Sequence, residues 1–444
     1  MTKILIIGAG RSATSLIDYL LKQSLQKNWQ IIVADLTFEL ARIKINNHSN
    51  GIAIEFDINN DAQREREIQN ADIVISMLPA HMHIAVAKDC IRFKKNMVTA
   101  SYVSGEMKAL DYDARGAGVL LLNEIGVDPG IDHMSAMKII DEIRDKGGKV
   151  TSFESFTGGL LAPESEKGNP WKYKFSWNPR NVVLAGQGIV KFVQEGKYKY
   201  IPYTKIFRRT EIVEIEGHGK FEGYANRDSL KYREIYGLQD IKTIYRGTFR
   251  RPGFCKAWDI FVQLGATDDS YIMEDSEEMT NREFINSFLA YHESDSVELK
   301  LMHYLKLDQD EVDVLEKLES LDIYKNIRIG LKDATPAQIL QHILEKKWTL
   351  QPEDKDMIVM WHKFQYELES KTKYAESFMV VTGEDRINTA MSKTVGLPVA
   401  IATKMILEDA ITLKGVQIPV NRDIYLPVLN ELEGYGIHFN EKYY

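Results

Sequence analysis

The chain has 444 residues, of which 44% are hydrophobic and 27% charged, and its formal net charge of -8 leaves no extended basic surface for a nucleic acid. Its two cysteines, Cys90 and Cys255, exclude a disulfide framework and a thiolate metal site, which favours a reducing, cytoplasmic compartment. No uncharged apolar stretch reaches 18 residues, so a membrane-spanning protein is not expected.

The first 35 residues have the pattern of a βαβ unit that binds a dinucleotide. An apolar run at residues 3–7 leads into Gly8, Gly10 and Ala13, and helical periodicity follows. Gly8 permits a tight turn, Gly10 lets the backbone approach a pyrophosphate, and small Ala13 lets the helix pack on the strand. The pattern therefore predicts phosphate binding at a helix N-terminus.

A second apolar run at residues 30–34 ends in Asp35, at the spacing that a ribose-binding acid requires. A carboxylate accepts hydrogen bonds from both ribose hydroxyls and repels a 2′-phosphate. The sequence therefore predicts NAD as the cofactor, with NADP left open if Arg42 or another cation compensates.

Strand-like and helical segments alternate over the next 90 residues. This alternation predicts an α/β fold, a Rossmann-type doubly wound parallel sheet, with ligands outside the carboxyl ends of the strands. The predicted strands are residues 52–56, 72–78, 96–101 and 119–125, and the predicted helices are near 60–70, 82–93 and 105–116.

The pattern of predicted strands and helices changes further along the chain and indicates further domains. We expect a dinucleotide-binding Rossmann domain at 1–128, completed by 386–444. A mixed α/β substrate-binding domain is predicted at 129–280, and a mostly helical domain at 281–385. Apolar residues 395–405 fit a homodimer face or a core helix equally well.

Distinctive short strings occur in order along nearly the whole chain. They are S-Y-V-S at 101–104, N-E-I-G-V-D-P-G-I-D-H at 123–133, G-G-L-L-A-P-E at 158–164, Y-K-F-S-W at 173–177, Y-A-N-R-D-S at 224–229, R-G-T at 246–248, K-T-V-G-L-P at 393–398 and G-V-Q-I-P at 415–419. Together they resemble the strings of one enzyme family, the L-glutamate-forming saccharopine dehydrogenases, also called saccharopine reductases.

The resemblance implies a reaction of lysine metabolism, in which saccharopine is interconverted with glutamate and 2-aminoadipate 6-semialdehyde through an imine. By position, it implies substrate contacts from Ser101, Tyr102, Asp128, Arg227, Arg246, Gly247 and Thr248. It implies cofactor contacts from Gly8, Ala9, Gly10, Arg11, Ser12, Asp35, Asp57, Leu78, Ala100, Val127, Asp128, Pro129 and Ser176.

These residue types suit that substrate on chemical grounds. Saccharopine carries three carboxylates, and Arg227 and Arg246 can each bind a carboxylate with two parallel hydrogen bonds. Asp128 can pair with the substrate nitrogen or act as the N-cap of a helix that begins near Pro129. Tyr102 and Asp128 are the expected catalytic residues, and His133 is a further candidate proton donor.

Three alternatives remain at this stage. NADP-using members of the family usually carry a basic or hydroxyl residue after the second strand, where this chain has Asp35 and Leu36. A related imine reductase, carboxynorspermidine dehydrogenase, would need fewer carboxylate-binding arginines, and a non-catalytic NAD-binding protein is the third possibility. His81 and His83 find no third ligand at a suitable spacing, so no metal is expected.

Overall fold

The computed structural model describes residues 1–306 and 311–444, which form two compact units. The first unit contains residues 1–150 and 366–444, and the second contains residues 151–365. The described strands are β1 (Thr2–Ile7), β2 (Trp29–Asp35), β3 (Gly51–Glu55), β4 (Ile73–Ser76), β5 (Asn96–Val98), β6 (Leu120–Leu122), β7 (Lys149–Leu161), β8 (Ile189–Gln194), β9 (Lys197–Pro202), β10 (Thr210–Ile215), β11 (Gly219–Ala225), β12 (Thr243–Arg250), β13 (Asp356–Leu368), β14 (Lys371–Thr382), β15 (Gly415–Gln417) and β16 (Asn440–Tyr443).

The described α-helices follow the same chain order. They are α1 (Thr14–Lys27), α2 (Phe38–Ile45), α3 (Asp61–Asn70), α4 (His83–Phe93), α5 (Gly105–Ala109), α6 (Asp111–Ala117), α7 (Ile131–Asp145), α8 (Pro179–Val183), α9 (Tyr232–Ile235), α10 (Phe254–Leu264), α11 (Asn281–Asn286), α12 (Val297–Leu305), α13 (Val312–Ser320), α14 (Pro336–Trp348), α15 (Ala390–Leu407) and α16 (Arg422–Glu433).

The first unit is built on a parallel sheet with the strand order β15–β6–β5–β4–β1–β2–β3. Ile4 in β1 and Ile73 in β4 are completely buried, as expected for central parallel strands whose two faces are covered. The strand order reverses between β1 and β4, which places a ligand crevice outside their carboxyl ends. The predicted Rossmann-type doubly wound sheet is confirmed.

The C-terminal segment returns to the first unit, where α15 packs on α1. A Cβ atom on Gly396 would lie 2.8 Å from the Leu16 backbone nitrogen, so the two helix backbones approach closely at this glycine. By length and composition α15 could cross a membrane, but 78% of it is buried inside the folded chain. Its apolar residues are therefore mostly core residues of the first unit.

The second unit contains a mixed sheet in which β12 is central. β12 pairs antiparallel with β11 and β8 and parallel with β7, and β10 extends the sheet beyond β11. A cluster of buried aromatic rings stabilises this unit, with the centroids of Trp171 and Trp348 5.3 Å apart. Such rings bury large apolar areas in preferred edge-to-face contacts.

The range expected to be mostly helical, 281–385, differs from that expectation in part. Helices α11 to α14 occupy it as far as Trp348, but β13 and β14 cover most of 356–382. The described helices lie within the second unit together with the preceding sheet. Short apolar runs such as residues 357–361 fit a buried strand and a buried helix equally well, so periodicity could not separate the two.

Candidate active site

The glycine-rich turn after β1 has the geometry that a dinucleotide requires. Gly8 has φ of +106°, and a Cβ atom there would lie 2.8 Å from the carbonyl oxygen of Met77. Gly10 is exposed, with open space where its Cβ would be, and buried Ala13 ends a short 3₁₀ helix that leads into α1. The turn thus leaves backbone accessible at a helix N-terminus, where a pyrophosphate would bind.

Asp35, at the end of β2, turns its carboxylate towards this loop. Oδ2 accepts a hydrogen bond of 2.7 Å from the amide of Ala9, and Oδ1 accepts one of 2.9 Å from the amide of Thr37. Arg42, the cation considered for a 2′-phosphate, is paired with Glu39 at an exposed position. The negative charge of Asp35 is thus fixed beside the turn, with Arg42 bonded elsewhere.

Two serines at the ends of β4 and β5 are bridged by an imidazole. His83 Nδ1 lies 2.8 Å from Ser76 Oγ, and His83 Nε2 lies 2.7 Å from Ser101 Oγ. Ser76 is completely buried, and His83 is buried at the start of α4. Burial lowers the pKa of His83 to about 4, with the nearby His81 as a smaller cause, so the ring is neutral at neutral pH.

Tyr102 and Asp128 lie together at the carboxyl edge of the sheet. The Tyr102 hydroxyl donates a hydrogen bond of 2.9 Å to Asp128 Oδ1, and both residues are half-buried. Helix α7 takes Gly130 as its N-cap, and the Gly130 amide donates to Asp132 Oδ1 at 2.6 Å. The alternative role of Asp128 as the helix N-cap is therefore wrong, because the chain continues past Pro129 before the helix begins.

Glu124 connects the loop after β6 with the loop after β5 through hydrogen bonds. Its amide donates to the Ser101 carbonyl oxygen at 3.0 Å, and its Oε1 accepts from the Val103 amide at 2.9 Å. Glu124 Oε2 lies 2.8 Å from His133 Nε2, and His133 is completely buried. His133 therefore lies inside the unit and holds Glu124, which positions the Ser101–Val103 loop.

The remaining cofactor-contact candidates of the first unit follow the ends of its strands. A Cβ atom on Gly126 would lie 2.9 Å from the Ala100 Cβ, so the loops after β5 and β6 are packed closely. Exposed residues in this group are Arg11 and Asp57; half-buried ones are Ser12, Leu78 and Ala100; buried ones are Val127 and Pro129.

The arginine candidates belong to the second unit. Arg246 lies on β12, is 8% exposed, and holds its guanidinium carbon 4.1 Å from the centroid of the Tyr232 ring. Its amide donates to Ser229 Oγ at 3.1 Å, and its carbonyl oxygen accepts from the Asn226 amide at 2.9 Å. Arg227 follows β11 with φ of +53° and is exposed. Both arginines thus lie near the carboxyl end of β11, Arg246 in the middle of the paired strand β12.

Gly247 and Thr248 continue β12 beside Arg246. A Cβ atom on Gly247 would lie 2.1 Å from the Phe156 ring, so only glycine fits against that ring. Thr248 is half-buried, and Ser176 is buried elsewhere in the same unit. The structure therefore brings the predicted residues together in two groups, one within each unit.

The polar partners inside the first unit could not be predicted from spacing alone. Ser76 and Glu124 were not among the candidates, and His83 was considered only as a metal ligand. Within residues 1–306 and 311–444, no group of three or more His, Cys, Asp or Glu side chains is arranged to hold a metal ion. The sequence signal that could have identified the Ser76–His83 pair was a serine at the end of an apolar strand followed by a histidine at the start of the next helix.

Fold and site together define a dinucleotide-binding protein of the oxidoreductase class, with the nucleotide turn in one unit and buried arginine in the other. Residues 4–122 match the family model described as the saccharopine dehydrogenase NADP binding domain, and residues 126–437 match the saccharopine dehydrogenase C-terminal domain. The chain belongs to the saccharopine dehydrogenase family, and its first unit binds a nicotinamide dinucleotide.

Named relatives agree with this membership. The chain is 33% identical over 450 residues to saccharopine dehydrogenase [NADP(+), L-glutamate-forming] of Schizosaccharomyces pombe, covering 100% of this chain and 99% of that protein. It is 34% identical to the mitochondrial alpha-aminoadipic semialdehyde synthase of Rattus norvegicus over 99% of the chain, but spans only 47% of that longer protein.

A solved structure has the same fold over its whole length. The apo saccharopine dehydrogenase (L-Glu forming) of Saccharomyces cerevisiae superposes with a TM-score of 0.90 at 31% identity, covering 100% of both chains. The homospermidine synthase of Legionella pneumophila, at 9% identity and a TM-score of 0.53, shares the fold.

Proposed function

We propose that the chain interconverts saccharopine with L-glutamate and 2-aminoadipate 6-semialdehyde, using a nicotinamide dinucleotide. The observation that carries the proposal is the Tyr102–Asp128 hydrogen bond beside Ser101, at the carboxyl edge of the dinucleotide-binding sheet. These residues occupy the positions that the family resemblance assigns to substrate contacts. The full-length match to a relative named for this reaction supports the assignment.

In the oxidative direction a hydride leaves the substrate carbon bonded to the secondary amine nitrogen, and that nitrogen loses a proton to give an imine. Water then adds to the imine carbon, and cleavage of the C–N bond releases glutamate and the semialdehyde. When bound, the nicotinamide accepts the hydride. The chain must therefore hold the substrate in alignment and transfer protons at the nitrogen and at the attacking water.

Asp128 and Tyr102 are proposed for the proton transfers. A carboxylate bonded to a phenol can accept the amine proton while the phenol keeps the carboxylate oriented. The family resemblance assigns carboxylate contacts to Arg246 and Arg227 in the second unit and to Ser101 in the first. The Tyr232 ring beneath the Arg246 guanidinium holds that cation in place.

The choice between the two dinucleotides is a separate part of the proposal. Relatives named for NADP(+) favour NADP for the family, whereas the nucleotide end of this chain favours NAD. The Asp35 carboxylate is fixed by two amides, Leu36 beside it is 70% exposed, and Arg42 is paired with Glu39. A 2′-phosphate would meet the negative charge of Asp35 there, and Arg42 is already paired with Glu39. The Lys44 ammonium, which donates to Thr14 Oγ1 and interacts with Asp35, is the cation left to offset that charge.

The test is the appearance of reduced nicotinamide when the purified chain receives saccharopine with NAD, and separately with NADP. We expect saccharopine to be oxidised in the presence of a nicotinamide dinucleotide, with a higher kcat/KM for NAD than for NADP. Activity with NADP alone would contradict the Asp35 interpretation. If saccharopine is not oxidised with either dinucleotide but carboxynorspermidine is, carboxynorspermidine would be the substrate. If none of these substrates is turned over, a non-catalytic protein would be favoured.

Variants of the catalytic pair sharpen the assay. Asp128→Asn should lower kcat by at least about a hundredfold, in line with the loss of a general base. Tyr102→Phe should lower it less, because the carboxylate remains. Tyr112→Phe, at a tyrosine that is 86% exposed, is the matched control and should behave as the unsubstituted chain does. Full activity in Asp128→Asn would contradict the assignment.

A homodimer and a cytoplasmic location are proposed only on the sequence. The oligomeric state is measured by static light scattering of the purified chain. A molar mass equal to that of one chain, 50.9 kDa, would contradict the dimer.

A further inference from the structure

The histidine between Ser76 and Ser101 has a defined hydrogen-bonding capacity. Because His83 is neutral, one ring nitrogen donates and the other accepts. The two hydrogen bonds of the ring are therefore coupled: if the ring accepts from one serine, it donates to the other. Which direction applies depends on the surroundings of the two hydroxyls.

Ser76 decides the direction. Its side chain is completely buried, and in the described part of the chain its Oγ makes one hydrogen bond, to His83 Nδ1. If Nδ1 carried the proton, the Ser76 hydroxyl hydrogen would be left without an acceptor in the core, which is unfavourable for a buried donor. The Ser76 hydroxyl therefore donates to Nδ1, and the ring proton lies on Nε2.

The consequence reaches Ser101. With its proton on Nε2, His83 donates to Ser101 Oγ across 2.7 Å, so the Ser101 oxygen already accepts a hydrogen bond. The Ser101 hydroxyl hydrogen is then directed away from His83. Ser101 is half-buried, and its neighbour Tyr102 contacts Asp128, so its hydroxyl lies in the region proposed for substrate.

We propose that His83 is a positioning residue that keeps the Ser101 hydroxyl hydrogen available as a donor, and thereby lets this position bind a carboxylate of the substrate. The opposite ring tautomer would consume the Ser101 hydrogen and leave an acceptor facing the substrate. The identity of the carboxylate rests on the proposed function, whereas the direction of the hydrogen bonds does not.

The kinetic test compares His83→Leu, His83→Gln and the exposed control His81→Gln. His83→Leu should raise the saccharopine KM about tenfold and leave the dinucleotide KM within about twofold. A glutamine amide can place an N–H near the position of Nε2, so His83→Gln should recover most of the loss. His81→Gln should match the unsubstituted chain, and equal losses in all three variants would overturn the proposal.

A double-mutant cycle separates positioning from a general structural effect. If His83 acts through the Ser101 hydroxyl, His83→Leu should add almost nothing to the saccharopine KM when Ser101 is already alanine. If the two effects on KM instead multiply, His83 does not act through Ser101. Unfolding in urea identifies any variant that has lost its structure, and Ser76→Ala then provides a milder test of the same direction.

The tautomer can be measured without any turnover. We would label the histidine rings with ¹⁵N, assign His83 from the signal lost in His83→Gln, and read the protonated nitrogen from its couplings to the ring protons. A proton on Nε2, with a shift towards mixed tautomers in Ser76→Ala, supports the proposal. A proton on Nδ1 overturns it. An Nε2 proton in a chain that does not turn over saccharopine would refute the substrate assignment alone.

Discussion

Arg246 combines burial with a planar cation, and these two properties determine how its substitution should behave. It is 8% exposed and stacked over Tyr232, so a carboxylate bound to it would be well desolvated. A charge-assisted bond of this kind contributes about 1.5–3 kcal/mol. Arg246→Ala should therefore raise the saccharopine KM roughly 10- to 150-fold in steady-state kinetics. The affinity for the dinucleotide, measured by NADH fluorescence, should not change.

The control for Arg246 lies on the same aromatic ring. The Lys231 ammonium is 4.8 Å from the Tyr232 centroid, but this residue is exposed. Lys231→Ala should change the saccharopine KM by less than about twofold. Arg246→Lys should recover only part of the loss, because an ammonium cannot bind a carboxylate through two parallel bonds. Intact turnover in Arg246→Ala would show that the carboxylate assignment is wrong.

We expect Asp35 and Leu36 to influence the preference between the two dinucleotides. Replacing Asp35 with alanine removes the charge that repels a 2′-phosphate, and Leu36→Arg places a cation at a position that is 70% exposed. The double variant should shift the ratio of kcat/KM values towards NADP by at least about tenfold. Each single variant, assayed in parallel, shows which residue carries the shift, and an unchanged ratio would contradict the interpretation.

His83 also makes the stability of the fold depend on pH. Its pKa falls from 6.5 to about 4 on folding, so the unfolded chain binds more protons between these values. The free energy of unfolding should therefore fall as the pH drops from about 6.5 to about 4, by up to about 3 kcal/mol from this group. Urea unfolding at several pH values should show a shallower fall for His83→Gln, and parallel profiles would contradict the prediction.

At the scale of elements, the contact between α1 and α15 depends on Gly396. A Cβ atom there would lie 2.8 Å from the Leu16 nitrogen and 3.2 Å from the Ser12 carbonyl oxygen, both of which are backbone atoms. Gly396→Ala should push the helices apart and cost about 1–3 kcal/mol of unfolding free energy. Because α1 begins beside the nucleotide turn, the dinucleotide should also bind more weakly.

Gly116 provides the opposite case for comparison. It lies within α6, and a Cβ atom there would meet nothing within 4 Å. Gly116→Ala should therefore stabilise the chain by about 0.5–1 kcal/mol through the lower entropy of the unfolded state. Chemical unfolding measures both variants, and equal stability of the two would contradict the close approach of α1 and α15.

Elements with strong local signals were predictable from the sequence. Short-range steric requirements identify the turn from Gly8 to Ala13 and the strand that ends at Asp35. The strand β13 was not predicted, because its buried apolar run lacks the alternation that identifies a half-exposed strand. The N-cap alternative for Asp128 was wrong, because a proline that follows an acid is also compatible with a loop that ends at Gly130.

At the scale of the whole molecule, the predicted site residues are distributed between two units. Ser101, Tyr102 and Asp128 belong to the first, whereas Arg227 and Arg246 belong to the second. Family motifs identified these residues, but the sequence could not give their partners. His83 joins serines that are 7 and 18 positions away, and such pairings depend on the order of strands in the folded sheet.

Binding of the dinucleotide should stabilise the folded chain by an amount that grows with the logarithm of its concentration relative to its Kd. At a concentration one hundred times its Kd, a ligand adds about 2.7 kcal/mol to the free energy of unfolding. We expect NAD to raise the calorimetric unfolding temperature more than NADP does at equal concentration, because the charge of Asp35 opposes the 2′-phosphate.

Gly10→Val tests whether this stabilisation arises at the nucleotide turn. The backbone of Gly10 has φ of -63° and its Cβ position is open, so valine should leave the fold intact. The added side chain would nevertheless occupy the space through which a pyrophosphate approaches the backbone. The variant should therefore unfold at the same temperature with and without NAD. A normal shift in Gly10→Val would place the dinucleotide elsewhere in the chain, and a larger shift with NADP than with NAD in the unsubstituted chain would reverse the assigned preference.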